Sequence, residues 1–137
     1  MNPLLSQRHV DACNACILAC EDYLYMCKNL VNVCSAENGS KCSQEAKVVS
    51  GSSKECMQIC KECIKECNEH LQHCKNDECK EITDACIKRC GEVIKACEML
   101  AQQCLIGAAE CTQATLDCID SLEECIQACD ECIEQEH

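Results

Sequence analysis

The sequence predicts an all-α protein: an antiparallel, up-down-up-down four-helix bundle with a cysteine-lined core, forming one domain over residues 1–137. Three observations carry that prediction. A chain of 137 residues is long enough for one core and too short for two. Cysteine occupies 21 positions while Phe and Trp are absent and Tyr occurs twice, so thiols must fill the interior, helped by Ile, Leu, Val and Ala. Of the 20 gaps between successive cysteines, 17 are 3, 4 or 7 residues, the spacings that return a side chain to one helix face.

The first helix is expected over about residues 5–35, carrying Cys13, Cys16, Cys20, Cys27 and Cys34. The stretch SAENGSKCSQEAKVVSGSS, rich in Ser, Asn and Gly, interrupts the rhythm and reads as a long first connection over 36–52, with room for a short helical turn near Cys42. The second helix is expected over 53–75, opened by a capping box of Ser52 and Glu55 and carrying Cys56, Cys60, Cys63, Cys67 and Cys74. Asn76-Asp77 supplies a turn and an N-cap for the third, over 77–105, with Cys79, Cys86, Cys90, Cys97 and Cys104. Gly107 marks the break before the fourth, over 108–134, with Cys111, Cys118, Cys125, Cys129 and Cys132. Five cysteines in each helix suggest a repeated helical hairpin.

With the cysteines at heptad positions a and d, a second stripe falls at e: Ile17, Leu24 and Val31; Met57, Ile64 and Leu71; Ile87, Ile94 and Ala101; Ile119, Ile126 and Ile133. Together these make the apolar face of a globular bundle helix. Lys28, Lys61, Glu62, Lys88, Glu92 and Glu123 fall on the opposite faces. Short second and third connections make neighbouring helices antiparallel.

The net charge of −12 argues against nucleic acid and an anionic membrane surface, so neither is expected as a partner. No Lys or Arg follows Lys95, whereas ten acids do, which reads as a solvated face. The opening MNPLLSQRHV lacks a basic segment followed by an apolar run, and no stretch approaches the roughly 20 apolar residues of a membrane span. The expectation is a cytoplasmic chain whose thiols stay reduced. No enzyme is expected, since there is no Ser-His-Asp set, glycine-rich phosphate loop or paired-carboxylate site.

Three readings of so many inward cysteines compete. As plain core they fail, because Leu or Ile would bury more apolar area at each position. As a disulfide framework, the five C-x-x-x-C pairs (Cys16/Cys20, Cys56/Cys60, Cys63/Cys67, Cys86/Cys90, Cys125/Cys129) have Cβ atoms about 5–6 Å apart against the roughly 3.8 Å a disulfide wants. The odd total of 21 also speaks against complete pairing.

Metal fits the spacing. With a metal–sulfur bond of about 2.3 Å, two sulfurs across one ion lie roughly 4.6 Å apart, within reach of i and i+4 side chains. Soft thiolates select Cu(I), zinc or iron–sulfur clusters, and the ferredoxin spacings are absent. Equal numbers of Cu(I) and thiolate sum to zero charge, whereas zinc with four thiolates leaves a buried −2. Many Cu(I) ions per chain are therefore expected, with a zinc or general soft-metal buffer as the alternative. A copper-delivery chaperone needs one exposed site rather than this capacity.

The segments C-x-x-C-x-x-x-C (Cys13, Cys16, Cys20) and C-x-x-x-C-x-x-C (Cys56, Cys60, Cys63; Cys125, Cys129, Cys132) give the chain its family likeness. From Cys13 to Cys132 it resembles the cysteine-rich copper storage proteins, four-helix bundles that bind many Cu(I) ions along their inner face. The resemblance is to the cytosolic branch and implies a homotetramer of bundles, each core filled independently. Cys42, in the expected long connection, departs from the plainest form of that family.

Antiparallel packing gathers His9, His70, His73, Cys79, Cys132 and His137 at one end. His9 and His70 fall on the d line, facing the core, and are candidate ligands beside the twenty helix cysteines. Met26, Met57 and Met99 read as core filler. Tyr23, Leu30, Val93, Leu100 and Leu122 lie on d mostly away from the histidines, so copper is expected to pass in at the histidine end while the aliphatic layer helps close the other.

Overall fold

The computed structural model describes residues 3–35 and 39–136. Helix α1 spans Pro3–Ser35, α2 Gly39–Leu71, α3 Asp77–Gln103 and α4 Ala108–Glu136. Each packs against its neighbours in chain order and α1 closes the square on α4, with α2 and α4 meeting only marginally across the diagonal. This is the antiparallel four-helix bundle that the cysteine rhythm predicts.

The interior follows the a/d seam. Apart from Cys104, which is half-buried, every cysteine is buried, and the e stripe is half-buried along all four helices. All of the stripe but Val31, Leu71 and Ala101 packs against the core cluster and seals helix to helix. Leu30, Val49, Val93, Leu100 and Leu122 are the largest apolar side chains inside. Each contributes about 1.5–3 kcal/mol by leaving water.

The second and third connections form as expected. Asn76 caps α3 by accepting from the Cys79 backbone N–H at 2.7 Å, with Asp77 and Glu78 in the first turn where the helix dipole favours acids. Residues 104–106 turn and Gly107 precedes α4; a Cβ on Gly107 would meet Glu110 Oε2 at 3.1 Å.

The first connection is corrected. Residues 36–38 lie outside the described residues, and the rest of the supposed loop, from Gly39 onward, belongs to α2. Ser52 is therefore mid-helix and forms no capping box with Glu55. The reason lies in the seam: Cys42, Ala46, Val49, Ser53 and Cys56 are buried at spacings of 4, 3, 4 and 3, so the face continues with residues other than cysteine. Gly51 is exposed and open around its Cα, and its cost of about 1 kcal/mol in a helix is outweighed by that buried face. Ser53 satisfies its hydroxyl by donating to the Ser50 carbonyl at 2.6 Å. At the other boundary α2 ends at Leu71, so Cys74 sits in the connection to α3.

Candidate metal centre

The inward sulfurs of α1, α2, α3 and α4 converge on the bundle axis. Cys16 Sγ lies 3.8 Å from Cys60, Cys90 and Cys125 Sγ and 4.0 Å from Cys20 Sγ. Cys86 stands 4.0 Å from Cys63 and 3.6 Å from Cys129, and Cys90 stands 3.6 Å from Cys125. Three groups of four have every sulfur within 4.8 Å of the others: Cys13, Cys63, Cys86, Cys129; Cys16, Cys20, Cys60, Cys125; and Cys16, Cys90, Cys125, Cys129. That separation matches two thiolates on opposite sides of one ion. Cys16, Cys125 and Cys129 each belong to two groups, so the sites share sulfur.

Cys27, Cys97 and Cys118, all buried, make a smaller set further along. Tyr23, Val93 and Leu122 lie between this set and the main one on α1, α3 and α4, whereas Cys56 and Cys60 bridge the gap on α2. The Tyr23 hydroxyl is buried there and has no hydrogen-bond partner among the described residues.

Protons are shared unequally in this crowd. The Cys63 thiol is lowered to about 7, chiefly by the Cys129 hydrogen bond; Cys118 to about 5, chiefly by Cys27; and Cys125 to about 3, chiefly by Cys129. Cys20 and Cys90 are driven upward, first by their bonds to Cys125, and Cys129 likewise. A sulfur that accepts several S–H donors carries negative charge easily, and its donors are held as thiols. A soft cation replaces those shared protons without adding buried charge.

The two predicted histidines meet at the end of this column. Their rings stack with centroids 4.2 Å apart, both buried. His9 Nε2 is 3.3 Å from Cys67 Sγ, and His70 Nε2 is 3.4 Å from Cys79 Sγ. His9 also groups with Cys13 and Cys132 within ligand range. Glu136, which the sequence reading places on a solvated face, turns inward: its Oε1 is 2.9 Å from His70 Nε2 and 3.9 Å from His9 Nδ1, with the side chain 7% exposed. Burial opposes protonation of His9, but the Cys132 hydrogen bond and the negative charges of Cys132, Cys86 and Glu136 outweigh it and raise its pKa. His70 is lowered by burial and by His9, against Glu136. Both Nδ1 atoms lack a hydrogen-bond partner among the described residues. His73 is exposed, and His137 lies outside the described residues. Met26 and Met57 pack on the core as filler, whereas Met99 is half exposed.

The far end departs from expectation. Cys34 is disulfide-bonded to Cys42, and Cys104 to Cys111. Three of the twenty expected ligands and the doubtful Cys42 are thus paired with α1 joined to α2 and α3 to α4, while 17 cysteines remain free thiols. The five C-x-x-x-C pairs stay unbonded, as their helical spacing requires. The disulfides instead cross helix connections, where two helix ends bring Cα atoms within 4.5 and 4.0 Å.

No family model, curated protein or solved structure matches the chain.

Proposed function

We propose that this chain sequesters many Cu(I) ions on the thiolates of its bundle core, as a store rather than a catalyst. The carrying observation is the sharing of Cys16, Cys125 and Cys129 between overlapping four-sulfur groups. Bridging sulfur allows nearly one monovalent ion per thiolate and leaves the core neutral, whereas separate divalent sites leave buried negative charge. The resemblance to the copper storage bundles supports the same reading, and with it a cytoplasmic location and a homotetramer.

Zinc is the second reading, favoured by the four-sulfur sets themselves, which are the ligand number structural zinc uses. Capacity separates the two. Seventeen free thiols divided into separate four-sulfur sites fill at about four ions. Anaerobic titration with Cu(I) against a competing chelator, with zinc in parallel, is the test. Uptake well beyond about four Cu(I) per chain before any reaches the chelator is expected; saturation at or below that number would overturn storage.

The ions pass in at the histidine end on this reading. The buried His9 and His70 rings stand beside Cys13, Cys67, Cys79 and Cys132, so an arriving ion meets imidazole and then thiolate.

A further inference from the structure

The cysteines that close the far end form a sulfur cluster apart from the column. One helical turn inward of Cys34, Cys42, Cys104 and Cys111 stand Leu30, Ala46, Leu100 and Thr115, all buried and none a sulfur residue. Thr115 spends its hydroxyl on the Cys111 carbonyl at 2.6 Å. This layer insulates the four end sulfurs from Cys27, Cys97 and Cys118. Within the cluster the two disulfides touch, with Cys34 Sγ 4.0 Å from Cys111 Sγ. The sulfurs of Cys34, Cys42 and Cys111 all lie within 4.8 Å of one another.

We propose that this cluster is a second, redox-switched metal site: closed as two disulfides under oxidising conditions, and opened by dithiols to bind one soft metal ion independently of the column. The 4.0 Å from Cys34 to Cys111 is already the separation of two sulfurs on a three-coordinate ion with bonds of about 2.3 Å. Breaking the Cys34–Cys42 bond supplies the third sulfur from α2. Cys104 stands alongside as a fourth.

A route for the reductant is present. Cys104 lines a surface groove with Ser43, Lys47, Ser50 and Leu105, and the Lys47 ammonium favours an approaching thiolate. One thiolate of a dithiol attacks Cys104 Sγ; a new S–S bond forms as the Cys104–Cys111 bond breaks, and Cys111 leaves as thiolate. The dithiol's second thiolate then displaces Cys104, and the dithiol departs as its cyclic disulfide. The Cys111 thiolate, 4.0 Å from Cys34 Sγ, attacks it and Cys42 leaves as thiolate; Cys104 then recaptures Cys111 as Cys34 leaves, and a second dithiol opens Cys104–Cys111 from the same groove. Two dithiols are oxidised and four protein thiols appear, from which the arriving cation displaces protons.

This inference stands without the storage reading, because the end cluster and the column are counted separately. The test uses the full chain, metal-free, under argon. One portion is kept oxidised; the other is treated with dithiothreitol and desalted. Alkylation under denaturing conditions followed by peptide mass measurement reads the redox state. We expect the reduced portion to gain label at Cys34, Cys42, Cys104 and Cys111, with the other 17 cysteines labelled equally in both. Each portion then receives excess Cu(I), and native mass spectrometry counts the ions. Reduced protein is expected to hold at least one ion more than oxidised protein, and Cys34→Ala/Cys42→Ala to abolish that gain while keeping the oxidised-state count. If the column takes no copper, the gain on reduction still appears; that outcome sinks storage and leaves this site standing. Equal counts in the two wild-type portions would overturn it, as would a gain that persists in the double variant. Full labelling of all 21 cysteines in protein exposed to a disulfide donor would overturn it too. Circular dichroism on the double variant checks its fold, and Cys34→Ser/Cys42→Ser, which removes the same two sulfurs while keeping side chains of closer volume, serves if the alanine variant fails to fold.

Discussion

At one end of the bundle two imidazoles, a carboxylate and free thiols meet with nothing apolar between them and the column. At the other, four sulfurs are tied into two disulfides behind Leu30, Ala46, Leu100 and Thr115. Both ends start from one layout: a pair of cysteines lies in or beside a helix connection, Cys74 and Cys79 at the histidine end, Cys34/Cys42 and Cys104/Cys111 at the other. What differs is the turn inward of them. Where the next buried residues are His70 and Thr83, the thiols remain free; where they are mainly aliphatic, the sulfurs are oxidised and walled off. The contrast assigns exchange to the first end and closure to the second.

The largest effect that checks this assignment is on stability. Leu30→Ala or Leu100→Ala is expected to cost about 2–5 kcal/mol each in urea unfolding of the metal-free, oxidised chain, because each leaves a cavity in a fully buried layer. Cys13→Ala near the histidine end removes one sulfur and is expected to cost less. If the leucines cost no more than Cys13, the far end is not a packed closure.

Next come the cysteine pairs. Cys34→Ala/Cys42→Ala is expected to lower stability by about 2–3 kcal/mol without reductant, the loop-closure contribution of a short loop. Cys74→Ala/Cys79→Ala, which removes two free thiols, is expected to change it by much less. Equal losses would erase the difference between the ends.

A kinetic effect follows. His9→Ala/His70→Ala is expected to slow Cu(I) uptake about tenfold, equivalent to about 1.4 kcal/mol of barrier, with the final ion count unchanged. Stopped-flow transfer from a Cu(I) chelator reads the rate. An unchanged rate would move the way in elsewhere.

Much of this contrast is legible in the sequence, and the misses have physical causes. Gaps of 3, 4 and 7 establish the helices and the inward column because period and burial are linked there. The same arithmetic fails at α2, where the 14 residues from Cys42 to Cys56 are two heptads whose seam is filled by Ala46, Val49 and Ser53. A composition rich in Ser and Gly hides that face, since tertiary burial outweighs propensity. The Cys104–Cys111 disulfide is masked by its spacing of seven, identical to a heptad although Gly107 breaks the helix between them. Cys34–Cys42 is masked by the misread connection. Glu136 sits in an acidic run and is told apart from it only by the fold, which returns the end of α4 to His9 and His70.

That carboxylate gives the smallest and most discriminating effect. Glu136 raises the proton affinity of both His9 and His70, and His9 lies above the ordinary histidine value of 6.5 in spite of its burial. A metal takes the neutral imidazole, so uptake through this end is expected to rise with pH as His9 loses its proton, in the range above 6.5 rather than below it. Glu136→Gln keeps an amide of the same shape against His70 while deleting the charge. The histidines then release protons more readily, and the midpoint of the uptake–pH curve is expected to move down, with rates at high pH within about twofold of wild type and stability changed by less than about 1 kcal/mol. A midpoint that stays put would mean that the titrating group governing uptake is a thiol of the column and not the imidazole pair. A midpoint that moves up would mean that the carboxylate itself takes the ion, with the histidines serving to hold it in place.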